Sequence, residues 1–415
     1  MNILFKGVLL GMSVIALQAI TLKELIDKTL QNNQNLKANE YSSKAKQKVF
    51  ESVKNIYNPN LIVGASYNRL DFDVRNTQVG ITTTAFAKFS VNLYDGGKNK
   101  ALKKQKLYEF KAQKFQNVTD TKQTILNLVT LYFNLKTIEE NIKVFKEKNK
   151  ALKAQYDRMK SKYDIKMATI DEVLKFKSEY ESNLYTIEEL KYQKEELLQN
   201  IELLSGVKID KIDTSTLPEV EVGYNETSDI KALKENLKAN EENINITKSI
   251  KKPQIKLEDS YNLYGYDKYD TKLLKDLPDK QNQFSLTLTY NLFDTSSKSK
   301  IESAKLIKLA TANKLSFAKA QAKMEYLLAK KKLQTQKLKL KSLKSAVEMA
   351  NSVYEAIKNK YENGVVDNIT YLDALSKKIY NLALYKQALN DLEIAKANLY
   401  FKSGVDYKEI LKVWN

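Results

Sequence analysis

The side chains that most often carry out chemistry in proteins are nearly absent from this sequence. Its 415 residues contain no histidine and no cysteine, and these residues supply the commonest zinc ligands and the usual nucleophile and base pairs of hydrolases. Carboxylates remain, but no glycine-rich phosphate-binding loop accompanies them. We therefore expect a protein that is not an enzyme, that uses no cofactor or metal, and that acts passively.

Composition favours long helices over compact domains, because the chain has only 11 glycines and 4 prolines. A formal net charge of +19 and a negative mean hydropathy of −0.48 indicate a largely wetted surface. Residues 1–19 have the pattern of a secretory signal peptide. In that pattern Lys6 precedes a short apolar run, and Ala19 offers a small residue for cleavage.

The longest regular pattern predicts a coiled coil. Apolar or aromatic residues recur at alternating spacings of three and four from Leu128 to Tyr163, interrupted only by Asn149. This 3.5-residue repeat is typical of helices that supercoil around a partner. The pattern recurs 198 residues later, from Tyr326 to Tyr361. The sequence therefore predicts two long helical hairpins that arose by duplication.

Shorter segments alternate apolar and polar residues with the period of a β-strand. They lie at 60–70, 83–94, 254–264 and 283–293. Their length and alternation are typical of strands that cross a bilayer in a β-barrel, with the apolar side facing lipid. A barrel needs about eight strands or more, so two or three copies of the chain are expected to share one. The alternative is a soluble coiled-coil protein whose strands form a small cap.

These patterns predict a mainly α-helical protein with a β-barrel portion and an internal two-fold sequence repeat. After the signal peptide, the predicted segments are repeat 1 at 20–206 with helices at 21–57, 98–163 and 169–204, a linker at 207–228, repeat 2 at 229–404 with helices at 229–250, 296–362 and 368–402, and a C-terminal segment at 405–415.

The order of these segments and two short motifs resemble the TolC-like outer-membrane efflux proteins, or outer membrane factors. The motifs are Asn92-Leu-Tyr-Asp-Gly-Gly97 with its echo Asn291-Leu-Phe-Asp294, and the paired turns at 163–174 and 361–372. The resemblance implies a homotrimer in the cell outer membrane that extends into the periplasm. In it, long antiparallel coiled-coil hairpins form an α-helical barrel that continues a 12-stranded transmembrane β-barrel. A mixed belt at mid-height, formed by 21–57, 229–250 and the C-terminal segment, is implied as well.

The resemblance also implies a function. Such proteins are exit ducts of tripartite efflux pumps or type I secretion systems, and they work with a periplasmic adaptor (membrane fusion protein) and an inner-membrane RND or ABC transporter. The expected partners are these proteins, further copies of the chain and outer-membrane lipid, with no nucleic acid. A periplasmic adaptor and a soluble structural or adhesive coiled-coil protein are the alternatives. An adaptor has one hairpin flanked by compact β-domains, whereas this sequence predicts two hairpins and four strands.

Gate residues follow from the same resemblance. Acidic residues just past the second turn ring the closed entrance of such proteins, and Asp373 matches one of them while Thr370 stands in place of the other. A latch between hairpins uses a tyrosine, an arginine and an aspartate. Tyr361 matches the tyrosine, Val366 replaces the arginine and Glu172 stands for the aspartate, so the latch is incomplete. The adaptor is expected to dock on the turns, at Lys166, Met167, Ala168, Thr169, Gly364, Val365, Val366 and Asp367.

Plainer interpretations of these residues stay open. Asp373 fits a solvated acid on a helix surface equally well. Tyr163 and Tyr361 lie on the predicted seams, where packing is the more frequent role, and Gly364 is expected to permit a turn with positive φ. If Asp373 does line a constriction, its copies would attract cations.

Lysines cluster near the start of the helices at 98–163 and 296–362. They have two interpretations: solvated faces of a helical barrel, or a basic duct that favours anionic cargo. The clusters are Lys98, Lys100, Lys103, Lys104, Lys106, Lys111 and Lys114, and Lys298, Lys300, Lys305, Lys308, Lys314, Lys319, Lys323 and 330–332.

Overall fold

The computed structural model describes residues 20–55, 57–70, 79–213, 215–267, 272, 274 and 276–413. The predicted signal peptide at 1–19 lies outside the described residues. The described chain is mainly α-helical and has one four-stranded antiparallel sheet, as the sequence predicts. In chain order the elements are α1 (Leu22–Asn32), α2 (Gln34–Ser52), β1 (Asn60–Arg69), β2 (Ile81–Tyr94), α3 (Lys98–Asp164), α4 (Ile170–Ser205), α5 (Ser228–Ser249), β3 (Gln254–Asp267), β4 (Lys280–Thr289), α6 (Thr295–Glu362), α7 (Asn368–Lys402) and α8 (Tyr407–Val413).

Among the described helices, none carries an apolar stretch long enough to span a membrane.

The contacts within the chain define two compact units that cut across the sequence repeat. The tip unit comprises 1–39, 118–227 and 320–415, and the sheet unit comprises 40–117 and 228–319. Each unit takes residues from both repeats, so the two copies of the duplicated sequence contribute to both.

The sheet unit is built on the strand order β1-β2-β3-β4, with every neighbouring pair antiparallel. Residues paired across the strands share a face, so the registers Leu61↔Phe89 and Leu257↔Leu286 belong to one apolar face. That face is uncovered in the protomer: Val63 is 74% exposed and Leu286 is 61% exposed. The opposite face carries polar side chains such as Ser260 and Gln283.

Phe86 is a large aromatic residue on the polar face. Its ring lies across β1 at Gly64, where an added Cβ would come within 2.6 Å of the ring. Glycine at this position therefore leaves room for the far end of the aromatic ring over the neighbouring strand.

The fourth strand differs from its predicted bounds of 283–293. β4 runs from Lys280 to Thr289, because its partner β3 begins at Gln254, directly after Pro253, and Gln254 pairs with Thr289. Residues beyond Thr289 have no backbone partner on β3, so Leu292 and Phe293 leave the strand and are exposed.

The sequence predicts helix over 21–57 with a weak break near 31–34, and the structure has two helices that meet there; the predicted end needs correction, because the second helix ends at Ser52. Asn33 separates them: its carboxamide oxygen accepts the N–H of Leu36, and its Nδ2 donates to the carbonyl of Leu204. The first bond caps α2, which explains the break, and the second joins Asn33 to the end of α4. Near the end, the Asn55 side chain accepts the N–H of Tyr57 in a local turn that competes with helix.

Aspartates of the repeated motif start the long helices. Asp95 accepts the backbone N–H groups of Gly97 and Asn99, at 3.0 and 2.7 Å, at the start of α3. Asp294 accepts those of Ser296 and Ser297 at the start of α6. The motif therefore marks two equivalent transitions from strand to capped helix.

The tip unit has an apolar core where α1 meets α3 and α4. Leu25 of α1 packs in one buried cluster with Leu128 and Phe133 of α3 and Ile201 of α4. The buried Tyr132 hydroxyl donates to the backbone carbonyl of Asp213 in the linker. Thr21 and Glu24 form a capping box before α1, with the Thr21 N–H donating to Glu24 at 3.0 Å.

The predicted seams are buried or half-buried, with one exception at the end of α3. Asn149, the polar residue in the first seam, also has a partner. Asn183 of α4 donates to the Asn149 side chain and to the Phe145 carbonyl, each at 3.0 Å. A buried asparagine pair of this kind fixes the register of a coiled coil at some cost in stability. The exception is Tyr163, which is 43% exposed.

Candidate gate at the helix tips

The two hairpin turns of the tip unit have the same backbone geometry. In the first, the N–H groups of Lys166 and Met167 donate to the carbonyls of Tyr163 and Lys162. In the second, Gly364 and Val365 make the equivalent bonds to Tyr361 and Lys360, 198 residues later. Both are Schellman-type helix ends.

Each turn needs one residue in the left-handed region. Gly364 has a φ of 73°, and no atom lies within 4 Å of the position of an added Cβ. Glycine is therefore favoured here because of its positive φ and not because of lack of space, as the sequence predicts. Lys166 adopts a φ of 60° although it carries a side chain. This left-handed conformation costs such a residue roughly 1–2 kcal/mol.

Polar residues predicted for the gate cap the returning helices. The Glu172 carboxylate accepts the backbone N–H of Thr169 at 3.1 Å in the first turn. In the second, Asp367 accepts the backbone N–H of Thr370 at 2.8 Å. Hydrogen bonds from Thr370 lower the pKa of Asp367. Glu172 and Thr370 therefore have local structural contacts at the start of α4 and α7.

A cluster of tyrosines joins α6 to α7 beside the second turn. The rings of Tyr361 and Tyr371 are stacked with centroids 4.8 Å apart, and the hydroxyls of Tyr354 and Tyr371 are 3.4 Å apart. Val173 and Phe176 of α4 belong to the same buried cluster, so the two hairpins pack against each other there. Burial raises the pKa of Tyr371 and of Tyr361, which keeps both phenols neutral.

Tyr361 itself is only 8% exposed, and its hydroxyl has no hydrogen-bond partner among the described residues. This placement agrees with the packing interpretation of Tyr361. Its counterpart Tyr163 is exposed, and the first repeat has Val173 at the position that corresponds to Tyr371. The prediction that Tyr163 packs in the seam was wrong.

Arg158 supplies a contact that sequence reasoning missed. It projects from α3, and its guanidinium carbon lies 5.9 Å from the centroid of the Tyr361 ring. Its Nη2 also donates a long hydrogen bond of 3.5 Å to the backbone carbonyl of Glu362. The available signal was composition, because Arg158 is one of three arginines among 69 lysines and arginines. Arginine is favoured over lysine for stacking on aromatic faces.

Asp373 forms an ion pair within its own helix. Its side chain is 59% exposed, and its Oδ2 lies 2.7 Å from the ammonium of Lys377, one turn along α7. The structure therefore brings Tyr361 into a buried cluster, while Asp373, Thr370 and Glu172 make separate local contacts.

The predicted docking residues are divided between surface and core. Met167 and Val365 are highly exposed at the two turns, whereas Ala168 and Val366 pack partly against the tyrosine cluster. Exposed apolar residues that the prediction omitted are Ile165, Ile170 and Ile369. Each turn thus presents apolar side chains to its surroundings.

Comparison with family models identifies the chain. Residues 25–207 and 225–405 match the model described as outer membrane efflux protein, one match for each sequence repeat. The chain belongs to the outer membrane efflux protein family. Membership places it in the outer membrane, with a portion that extends into the periplasm.

Solved structures of similar fold are channels and membrane proteins of bacteria. The CmeC outer membrane channel of Campylobacter jejuni superposes with a TM-score of 0.83 at 18% identity, covering 95% of this chain and 90% of that one. The outer membrane protein VceC of Vibrio cholerae gives 0.82 at 16% identity, covering 93% and 96%. A membrane protein from Pseudomonas aeruginosa gives 0.82 at 18% identity, covering 92% and 93%. A comparison with curated protein sequences gives no match.

We predict that substitution of the left-handed residue lowers the protection of the second turn from hydrogen exchange but not that of the first. Gly364→Ala should lower the local opening free energy of the second turn by about 1 kcal/mol, because alanine disfavours the positive φ. Lys166→Gly should leave the first turn unchanged or more protected. Amide hydrogen exchange at the turns measures both effects. Gly97→Ala, at another positive-φ site with open space around it, should not alter exchange at either turn. Equal responses at both turns would refute the conformational account.

Proposed function

We propose that the protein is the trimeric outer-membrane exit duct of a tripartite efflux pump or type I secretion system, and that it conducts its cargo passively. The supporting observation is the sheet, which combines an exposed apolar face with two outer edges, on β1 and β4, that no strand of the described residues pairs. In hydrocarbon, each unpaired backbone group costs several kcal/mol. Copies of the chain remove that cost when their edges pair.

The strand directions are suited to such closure. Successive antiparallel pairing makes β1 and β4 run in opposite directions, so β1 of one copy can continue the antiparallel ladder with β4 of the next. Two copies give eight strands and an interior filled by side chains, whereas three give twelve strands and a wider lumen. A duct requires the wider lumen, which favours three copies.

The tips form the periplasmic gate in this proposal. Within each copy, Arg158 of α3 and the packing of α4 on the tyrosine cluster hold the two hairpins together, and they replace the latch that Val366 cannot supply. Asp373 lines the constriction together with Lys377. Opening separates the hairpins, so the energy of these contacts sets the fraction of closed channels.

The exposed apolar side chains at the turns form the surface for a periplasmic adaptor, which connects the duct to an inner-membrane RND or ABC transporter. Met167 and Val365 occupy equivalent positions in the two turns. Two equivalent turns in each of three copies give six similar docking positions.

Cross-linking of the sheet edges tests the trimeric duct. The natural chain has no cysteine, so introduced pairs report without background. Ser66→Cys in β1 is combined in turn with Gln281→Cys, Gln283→Cys, Ser285→Cys and Thr287→Cys in β4, all on the polar face. At least one combination should give covalent dimers and trimers under mild oxidation, and no larger species. Ser66→Cys alone should give monomers. A ladder that ends at dimers, or that continues past trimers, would exclude the proposed closure.

Arg158→Ala tests the gate in planar bilayers. Loss of about 1 kcal/mol of contact energy with Tyr361 should raise the open probability roughly fivefold. Arg158→Lys keeps the charge but loses the planar guanidinium, so we expect an intermediate effect. Lys160→Ala, exposed on the same helix, is the matched control and should behave as the wild type. The gate assignment fails if Arg158→Ala and Lys160→Ala give the same open probability.

A further inference from the structure

The polar face of the sheet carries a small and unbalanced set of charges. Within strands β1–β4 as bounded above, the charged side chains on this face are Lys88, Lys256 and Glu258. The β1 and β4 positions on the same face are uncharged, from Ile62 and Ser66 to Gln281 and Thr287.

These three side chains, two lysines and one glutamate, form one cluster, here called the charged triad. The ammonium of Lys88 lies 2.8 Å from Oε1 of Glu258, and that of Lys256 lies 2.9 Å from the same oxygen. The registers Ser90↔Glu258 and Asn92↔Lys256 place the cluster across β2 and β3. One carboxylate therefore holds two ammonium groups, and the triad keeps a net charge of +1.

Both lysines of the triad remain about half exposed. Their charge therefore acts on the solution next to the sheet and is not confined to the ion pairs. The surroundings have the same sign: the sheet unit contains 31 lysines and arginines against 18 acids, which accounts for +13 of the total +19.

At the helix tips, by contrast, the candidate acid of the constriction is balanced. Asp373 is paired with Lys377 at 2.7 Å, so the pair adds no net charge. The cation preference expected from copies of Asp373 alone is therefore offset by an equal number of ammonium groups.

We propose that the charged triad is a selectivity element that makes the duct prefer anions over cations. This inference rests on the proposed function, in which the polar face of the sheet lines a lumen shared by three copies. The copies together present three triads with a net charge of +3. Chloride and anionic cargo are attracted to this ring, and cations are repelled from it.

Reversal potentials of the full-length protein in planar bilayers, under a KCl gradient, test the proposal. The wild-type channel should be anion-selective. Lys88→Gln and Lys256→Gln should each lower the chloride-to-potassium permeability ratio several-fold, because each removes one charge from all three copies and a single unit charge about 10 Å away in water already changes the partition of an ion roughly twofold. Glu258→Gln removes the balancing charge and should raise the ratio by a similar factor.

A matched control lies in the same sheet. Lys280 of β4 pairs with Leu263 and belongs to the apolar face, so Lys280→Gln removes the same charge on the side away from the lumen. Its permeability ratio should equal that of the wild type. Channels that prefer cations, or that respond equally to Lys88→Gln and Lys280→Gln, would overturn the selectivity element while leaving the duct in place. Absence of any channel activity would overturn the duct, and the selectivity element with it.

Discussion

Backbone hydrogen bonding at the two outer edges of the sheet is the constraint on which the rest of the structure depends. Paired strands satisfy their ladder groups on the inner sides of β1 and β4, but nothing within the described chain pairs their outer sides. Water would satisfy these groups, yet the apolar face shared by all four strands is suited to lipid. An apolar face in lipid and hydrogen-bonded outer edges are compatible only if neighbouring copies of the chain supply the missing strands. Membership in the outer membrane efflux protein family is consistent with this requirement.

The contacts at the helix tips differ in how much free energy they contribute to the stability of the tips. Exposed ion pairs such as Asp373–Lys377 contribute roughly 0–1 kcal/mol, because water and salt screen them. The stacked pair Tyr361–Tyr371 is buried, and aromatic pairs contribute about 0.5–1.5 kcal/mol beyond their burial. Both of these pairs lie within the second hairpin, so cohesion between the hairpins depends on Arg158 and on the packing of Val173 and Phe176 against the tyrosine cluster. In the proposed gate, Arg158 of the first hairpin takes the place of the arginine that the second hairpin lacks at Val366.

Much of the fold could be predicted from sequence because its elements follow simple periods. A repeat of 3.5 residues marks the seams of α3 and α6, and alternation marks the four strands. The ends of elements were less predictable, since they depend on partners distant in sequence. β4, for example, stops where β3 supplies no further partner. The candidate gate was predictable only in part: Tyr361 was identified, but Arg158 was not, because its contact with Glu362 spans 204 residues.

The native mass of the detergent-solubilised protein tests the central claim most directly. Shared edges require a defined assembly, so native mass spectrometry should give three times the protomer mass, which is 47.7 kDa for the full chain. A monomer that remains in solution without detergent would contradict the claim, because its sheet edges would then be satisfied by water alone.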